Sequence, residues 1–430
     1  MQSHQKTEFH NDGRQQFNRL FPELNSLKVS DDNLVKLANK MFEYSRCNNS
    51  KVITNGLSIF GQFLAHDMTF EVTSRFREMK DLSLLQNDRS HNLDLDCMYG
   101  QWAQDFLYDK NDRNKLLLGS KCEDEYGNSW YDLQRNAQCK AIIPDARNDE
   151  NIIVSRMHVL FIEFHNKMVD QVRKECRRED VFKEARRRVI WHYHWLIVHE
   201  YLYKMMDWTV FDDIMKNGAK FYKWPGFLPL EFTGAAFRQG HSQTREDNRI
   251  SEHVNKGLFE LGAFETMEYY LDWAYLFDFG DDRVQYAKLI DTNIGKTFHD
   301  LPFIPSDNKN FRSLPFRNLK RGIIYGLPSG EDVAKRMCFE PMPVEESRLI
   351  GLDATPLWFY ILKEAEVLGH GGEHMGPVGS TLLGECFLSI LCADDQSYLK
   401  VHPKWKPTMG REEGKFDFRD LINFVYPNIS

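Results

Sequence analysis

The stretch GLSIFGQFLAHDMTFEV, residues 56–72, spaces Leu57, Phe60, Phe63 and Leu64 so that they share one side of a helix. It predicts an amphipathic helix over 57–70 with that side buried. Gln62, His66 and Asp67 interrupt the apolar run. Either they are solvent-facing or hydrogen-bonded core groups, or they belong to a site built on the helix; periodicity does not decide between these. The same period predicts helices over roughly 31–46, 155–176, 180–206, 259–276, 355–367 and 378–391. Within 155–176, Met157, Leu160, Phe161, Phe164, Met168 and Val172 form one stripe. Strand-like alternation is scarce. Segments 71–154 and 296–345, rich in Pro, Gly, Asp and Asn, read as long irregular connections, which in a compact protein are usually functional when ordered. No internal repeat, low-complexity linker or composition break divides the chain. The pattern therefore predicts a mainly α, single-domain protein over 31–430, preceded by an extension of residues 1–30.

Composition narrows the partners. With 430 residues, 42% hydrophobic and 13% aromatic, the chain can bury a large core. A net charge of −8 gives no reason to expect nucleic acid as a partner. No stretch approaches the ~20 apolar residues of a membrane span, and the N-terminus lacks the apolar region of a secretory signal. Eight scattered cysteines without a C-x-x-C pair suit reduced thiols, so a cytoplasmic location is expected.

Histidines are the next chemistry to place. In WHYHWLIVHEYLY, His192 and His194 point to different sides of a helix, and His192 and His199 lie ~10 Å apart along its axis. No compact ligand set results, and these three, with His158 and His165, read as core or helix-packing groups. His241, in FTGAAFRQGHSQT, differs. Gly234, Ala235, Ala236 and Gly240 precede it, so a flat group can approach the backbone closely, and Arg238 supplies a nearby cation. That combination suits either one-sided haem ligation or an ordinary histidine near a turn.

Five segments taken together resemble the peroxidase–cyclooxygenase superfamily, the animal haem peroxidases, and most closely its compact bacterial members. GQFLAHDMT is similar to the distal helix motif. DARNDENIIVSRMHVLFIEFHNKMV is similar to the distal arginine loop and the helix that follows. LDLDCMYG resembles the calcium loop, AAFRQGH the proximal histidine segment, and RNLKRGIIYGLP the proximal asparagine segment. The resemblance implies a haem peroxidase domain with haem b held between distal and proximal helices. It implies His66 as distal acid–base, with Gln62 one turn earlier and Arg147 beside the reacting peroxide. His241 becomes the iron ligand, Asn318 its hydrogen-bond partner, and Arg238 and Arg321 neighbours of the haem and its propionates. Asp67, Ser90, Asn92 (through its carbonyl), Asp94 and Asp96 become calcium ligands, an oxygen set that suits a hard cation; the alternative for that loop is an acidic surface turn.

Departures from the family pattern carry information too. The position before the distal histidine is Ala65, so no ester to haem can form there. Glu150 can still make one, and Asn151 stands where myeloperoxidase has a methionine bonded to a haem vinyl group. At most one covalent link is expected. The implied reaction oxidises a small donor (an aromatic or phenolic metabolite, iodide or thiocyanate) with hydrogen peroxide. The family's fatty-acid dioxygenase branch uses a tyrosine three residues before the proximal histidine; that position is Arg238 here. A haem carrier without turnover is a third reading, which the retention of His66 and Arg147 argues against.

Overall fold

The computed structural model describes residues 15–42, 48–70, 85–90, 92–100, 105–175, 180–224, 226–262 and 267–427. Its longer helices are α1 (Asp31–Lys40), α2 (Asn55–Met68), α3 (Ile152–Glu175), α4 (Val181–Leu196), α5 (Trp208–Asn217), α6 (Leu314–Ile324), α7 (Gly330–Arg336), α8 (Leu357–Leu368), α9 (Pro377–Ala393) and α10 (Phe418–Val425). Strands are short: β1 (Gln15–Asn18) runs parallel to Phe227–Pro229 and antiparallel to Gln86–Asn87, and the other pairs are two-stranded. The fold is mainly α, as the periodicity predicts. Residues 15–30, within the expected extension, contribute β1 and the buried Phe21, whose N–H donates to Glu231.

α2 is the centre of the core. Thr54 caps it by accepting the Leu57 N–H, one of the donors a helix start leaves without a partner. Phe60 is ringed by Phe63, Phe161, Tyr193, Tyr201 and Phe418, with centroids 4.7–6.5 Å away, within the range of favourable aromatic pairs. The expected one-sided burial is exceeded: from Asn55 to Met68, only Gln62 and Ala65 are less than fully buried. Two positions three apart share a helix face, so α2 opens to its surroundings along a single narrow stripe. That stripe carries the polar chemistry.

Two expectations fail, for opposite reasons. The predicted helix over 259–276 is absent from its described part, which holds only 3₁₀ turns at Leu258–Glu260 and Trp273–Tyr275. Leu261 O accepts the Ile152 N–H and Asp272 N donates to Ile250 O, so the backbone there pairs with other segments instead of with itself. Conversely, 296–345 contains α6 and α7. Ser313 caps α6, with Pro315 in its first turn, and Ser329 caps α7; loop-like punctuation here marks helix starts. The run predicted over 180–206 is helical from Val181 to Met205 but passes through a π turn at Ile197–Leu202. Among the described residues, no helix is long and apolar enough to cross a membrane.

Candidate active site

His66 sits on the open stripe of α2 with its ring buried. Its Nδ1 lies 2.8 Å from Oδ1 of Asn148, in the 3₁₀ turn Ala146–Asp149. Nε2 has no hydrogen bond among the described residues. Burial, reinforced by the Arg147 charge, pulls the imidazole down to about 4, so it is neutral at pH 7. The Asn148 amide nitrogen in turn lies 3.0 Å from Nδ1 of His158 on α3. Gln62, one turn before His66, donates to Glu150 at 3.3 Å. Arg147 donates through Nε and Nη2 to Asp145 (3.0 and 2.7 Å) and through Nη2 to the carbonyls of His66 (3.2 Å) and Thr69. Its guanidinium therefore rests at the C-terminal end of α2, where the helix dipole favours a cation. Glu150 is exposed, yet enough protein surrounds it that burial raises its carboxyl above the usual range, against the pull of Arg147.

The second imidazole is His241, in the short helix Gly240–Gln243, which packs against α2. Asn318 of α6 places its amide 2.7 Å from Nδ1. The amide nitrogen faces the ring in this structure, and a half-turn about the last side-chain bond presents the carbonyl that an Nδ1–H needs. Nε2 has no hydrogen bond among the described residues. Burial, with the Arg238 and Arg321 charges, lowers His241 to about 3, so both arginines lie close enough to act on it. Arg238 donates to Thr233 O (2.9 Å) and Arg321 to the Tyr325 hydroxyl (3.1 Å). The small residues before His241 divide their roles. Gly234 makes room for Tyr325, whose ring a Cβ there would meet at 2.8 Å, and Ala235 and Ala236 are core. Only Gly240 borders open space, with nothing within 4 Å of an added Cβ. A neutral imidazole with a free Nε2, beside open space and two guanidinium groups, fits the proximal side of a haem with its two carboxylates.

Asp67 points away from His66, as adjacent helix positions about 100° apart require. One carboxylate oxygen each from Asp67, Asp94 and Asp96 lies within 4.8 Å of the others. Asp67 accepts from Leu95 N (3.1 Å) and the Tyr193 hydroxyl (3.0 Å), while Ser90 N donates to Asp96 (2.8 Å) and Asn92 N to Ser90 Oγ (3.3 Å). Asp94 Oδ1 is buried and has no hydrogen-bond partner among the described residues. Burial and the Asp94 charge push Asp67 up to about 7. Three crowded carboxylates, two buried and the half-buried Asp94 with an orphaned oxygen, fit a hard divalent cation. The loop is shaped for convergence: Leu93 and Leu95 both adopt left-handed backbone (φ 56° and 58°), and His194 Nε2–H donates to Leu93 O at 2.9 Å.

Sequence reasoning missed Asn148, Asp145 and Arg89. Asp145 bridges Arg147 to Arg89 (2.9 Å), and Arg89 reaches Asp96 at 3.9 Å. Burial alone would raise Asp145; the hydrogen bonds and charges of Arg147 and Arg89 outweigh it and hold the carboxyl at about 2. The acidic cluster and Arg147 are thus joined by an ion-pair chain. Asp145 had a legible signal, since it caps the turn by accepting the Arg147 N–H at 3.0 Å. Arg89 and Asn148 had none.

The sequence profile of the animal haem peroxidase family matches residues 85–269. Heme peroxidase 2 of Caenorhabditis elegans is 30% identical over 148 residues, which are 31% of this chain and only 20% of that protein. In fold, peroxidase A of Dictyostelium discoideum superposes with a TM-score of 0.68 at 16% identity, covering 97% of this chain and 94% of its own. Fatty acid alpha-dioxygenases of Arabidopsis thaliana (TM-score 0.63, 15% identity) and Oryza sativa (0.61, 15%) each cover 94% of this chain, and 77% and 82% of their own. The shared fold spans nearly the whole chain, and the family's sequence pattern covers the segment holding Asp94, Arg147 and His241. Residues 85–269 thus match the animal haem peroxidase family in sequence, and nearly the whole chain has the fold that peroxidase A shares with the fatty acid alpha-dioxygenases.

Proposed function

We propose that the protein is a haem peroxidase that uses hydrogen peroxide to oxidise a small donor, with haem b between α2 and His241. One observation carries this reading. Two packed helices each present a neutral imidazole, buried at His66 and half-buried at His241, whose Nδ1 meets an asparagine amide and whose Nε2 has no hydrogen bond among the described residues. Bound haem supplies the redox centre that passes oxidising equivalents from peroxide to the donor. His241 would hold the iron through Nε2, and Asn318 would fix the ring and raise its basicity. His66 Nε2 takes the proton from the incoming peroxide and returns it to the departing oxygen, a base and then an acid on one group. Arg147 stabilises the negative charge that builds as the O–O bond breaks, through the Nη1 that its bonds to Asp145 and α2 leave aside. Gln62 lines the same side, and Arg238 and Arg321 pair with the propionates. Any covalent link runs through Glu150 alone. A ring with at most one ester is a weaker oxidant than a triply linked one, so iodide, thiocyanate and electron-rich aromatics are favoured over chloride. The cysteines, thiols at the six described positions, support a reducing compartment such as the cytoplasm.

One preparation tests this. Haem-loaded protein should show a histidine-ligated ferric Soret band that changes on adding peroxide and recovers on adding a phenol or iodide. Oxygen uptake with a long-chain fatty acid, and no response to peroxide, would instead establish the dioxygenase reading. Extraction with acidified organic solvent should leave at most one covalently held haem per chain, and none in Glu150→Gln.

Calcium in the Asp67–Asp94–Asp96 cluster, with Ser90 and the Asn92 carbonyl, ties α2 to the loop after Asn87 and so steadies His66. The pH dependence has a definite sign. In metal-free protein Asp67 holds its proton to about 7, whereas unfolded Asp releases it near 3.8. The folded state then binds more protons over that window, so stability falls as pH rises from about 4 to about 7. A bound divalent cation removes that penalty. Chelated protein should therefore melt progressively lower between pH 5 and 7, and added calcium should abolish the trend; identical melting with and without chelator across that range would refute the site.

A further inference from the structure

The proton chemistry of His66 depends on which ring nitrogen carries hydrogen, and the groups behind it bear on that choice. Asn148 is fully buried between two imidazoles, with Oδ1 at 2.8 Å from His66 Nδ1 and Nδ2 at 3.0 Å from His158 Nδ1. An amide has one accepting and one donating end. With Nδ2–H donated to His158, Oδ1 is left for His66 and can only accept, so His66 Nδ1 must carry the hydrogen. A neutral imidazole with hydrogen on Nδ1 has its lone pair on Nε2, the nitrogen free of other bonds.

His158 is equipped to keep accepting. Its ring stands edge-on to Phe63 (centroids 6.2 Å, 84°) on rigid α3. Burial lowers it to about 3, so the ring is uncharged at neutral pH and keeps one lone-pair nitrogen, which the Asn148 Nδ2 at 3.0 Å places at Nδ1. The ring also lines a cavity of about 10 Å³ that Gln134 borders, room for about one water to accept the Nε2–H. Reversing the Asn148 amide would aim its N–H at His66 Nδ1, place hydrogen on His66 Nε2, and remove the base.

We propose that Asn148 and His158 are positioning residues that set the tautomer of His66, holding its Nε2 unprotonated toward the open side. This rests on His66 being the base of the proposed peroxidase. The step it serves is a proton transfer from a weak acid H–X: the H–X bond breaks, the proton forms an N–H on Nε2, and the imidazolium's other N–H stays bonded to Asn148 Oδ1.

Cyanide binding to the ferric haem-loaded protein tests the tautomer without any turnover, because hydrogen cyanide binds as the anion and must give its proton to such a base. Asparagine at position 158 keeps a carbonyl near the place of Nδ1; leucine has the same shape and no acceptor. At pH 7 the association rate should fall about tenfold to a hundredfold in His158→Leu and stay near the parent's in His158→Asn. A second pair covers the event that leucine at 158 prevents folding: Asn148→Asp retains an acceptor for His66 and should bind fast, while Asn148→Leu should bind slowly. Parent-like rates in either folded leucine variant, or His158→Asn as slow as His158→Leu, would overturn the proposal. A parent that ignores peroxide yet shows this cyanide pattern would overturn the peroxidase reading and leave the tautomer assignment standing.

Discussion

Ferric, haem-loaded His66→Ala should react with hydrogen peroxide about 10²–10⁴-fold more slowly than the parent, the usual cost of losing a positioned general base. The size of the effect follows from the state of the ring. A histidine at its ordinary value is partly protonated near neutrality and so partly idle as a base; burial and the neighbouring Arg147 hold His66 at about 4, so at pH 7 nearly every ring can accept a proton. The same shift sets the pH profile. The parent's rate should be flat through neutrality and fall only as pH drops toward about 4, while the alanine variant should lack that acid limb. Stopped-flow recording at the Soret band between pH 4 and 8 reads both. Equal rates in variant and parent at pH 7 would remove His66 from the proton transfer, whatever else it does.

Much of this arrangement was legible because a helix repeats on a fixed period. Gln62 and His66 lie one turn apart, and Asp67 is rotated about 100° from His66, so a single buried helix can serve an open cleft on one side and an acidic cluster on the other. In the structure Gln62 and Ala65 are the half-buried positions of α2, and Asp67 turns the other way to meet Asp94 and Asp96. Backbone pairing over 259–276 was not legible, because its partners, Ile152 and Ile250, come from distant segments; the periodic apolar residues are buried there without being helical. Position 158 shows the same limit at a site. An isolated histidine on an apolar stripe reads as core packing, and His158 is indeed buried, but its role depends on an amide ten residues away that the turn at Ala146–Asp149 delivers. Local period places side chains on faces. It does not say which polar groups from different elements will meet.

His241→Ala should fail to retain haem through gel filtration, because it removes the imidazole that stands beside the open space at Gly240 and is held there by Asn318. Its Soret absorbance should drop to a small fraction of the parent's, and added imidazole, which can occupy the vacated position, should restore part of it. Asn318→Ala separates ligation from tuning. Asn318 is 2% exposed and its hydrogen bond to His241 is at Nδ1, not Nε2, so its loss leaves the iron ligand in place and removes the acceptor that makes the ring a stronger donor. Loss of such an outer partner typically weakens metal-site affinity about 10–100-fold, so haem should remain bound at micromolar concentration but exchange faster into apomyoglobin. A less basic ligand stabilises ferric iron less, and the reduction potential should therefore move upward. A downward or absent shift would mean that the Asn318 amide does not accept from His241 Nδ1. Unchanged haem retention in His241→Ala would move the axial ligand to another residue and dissolve the pairing of α2 with Gly240–Gln243 on which the site is built.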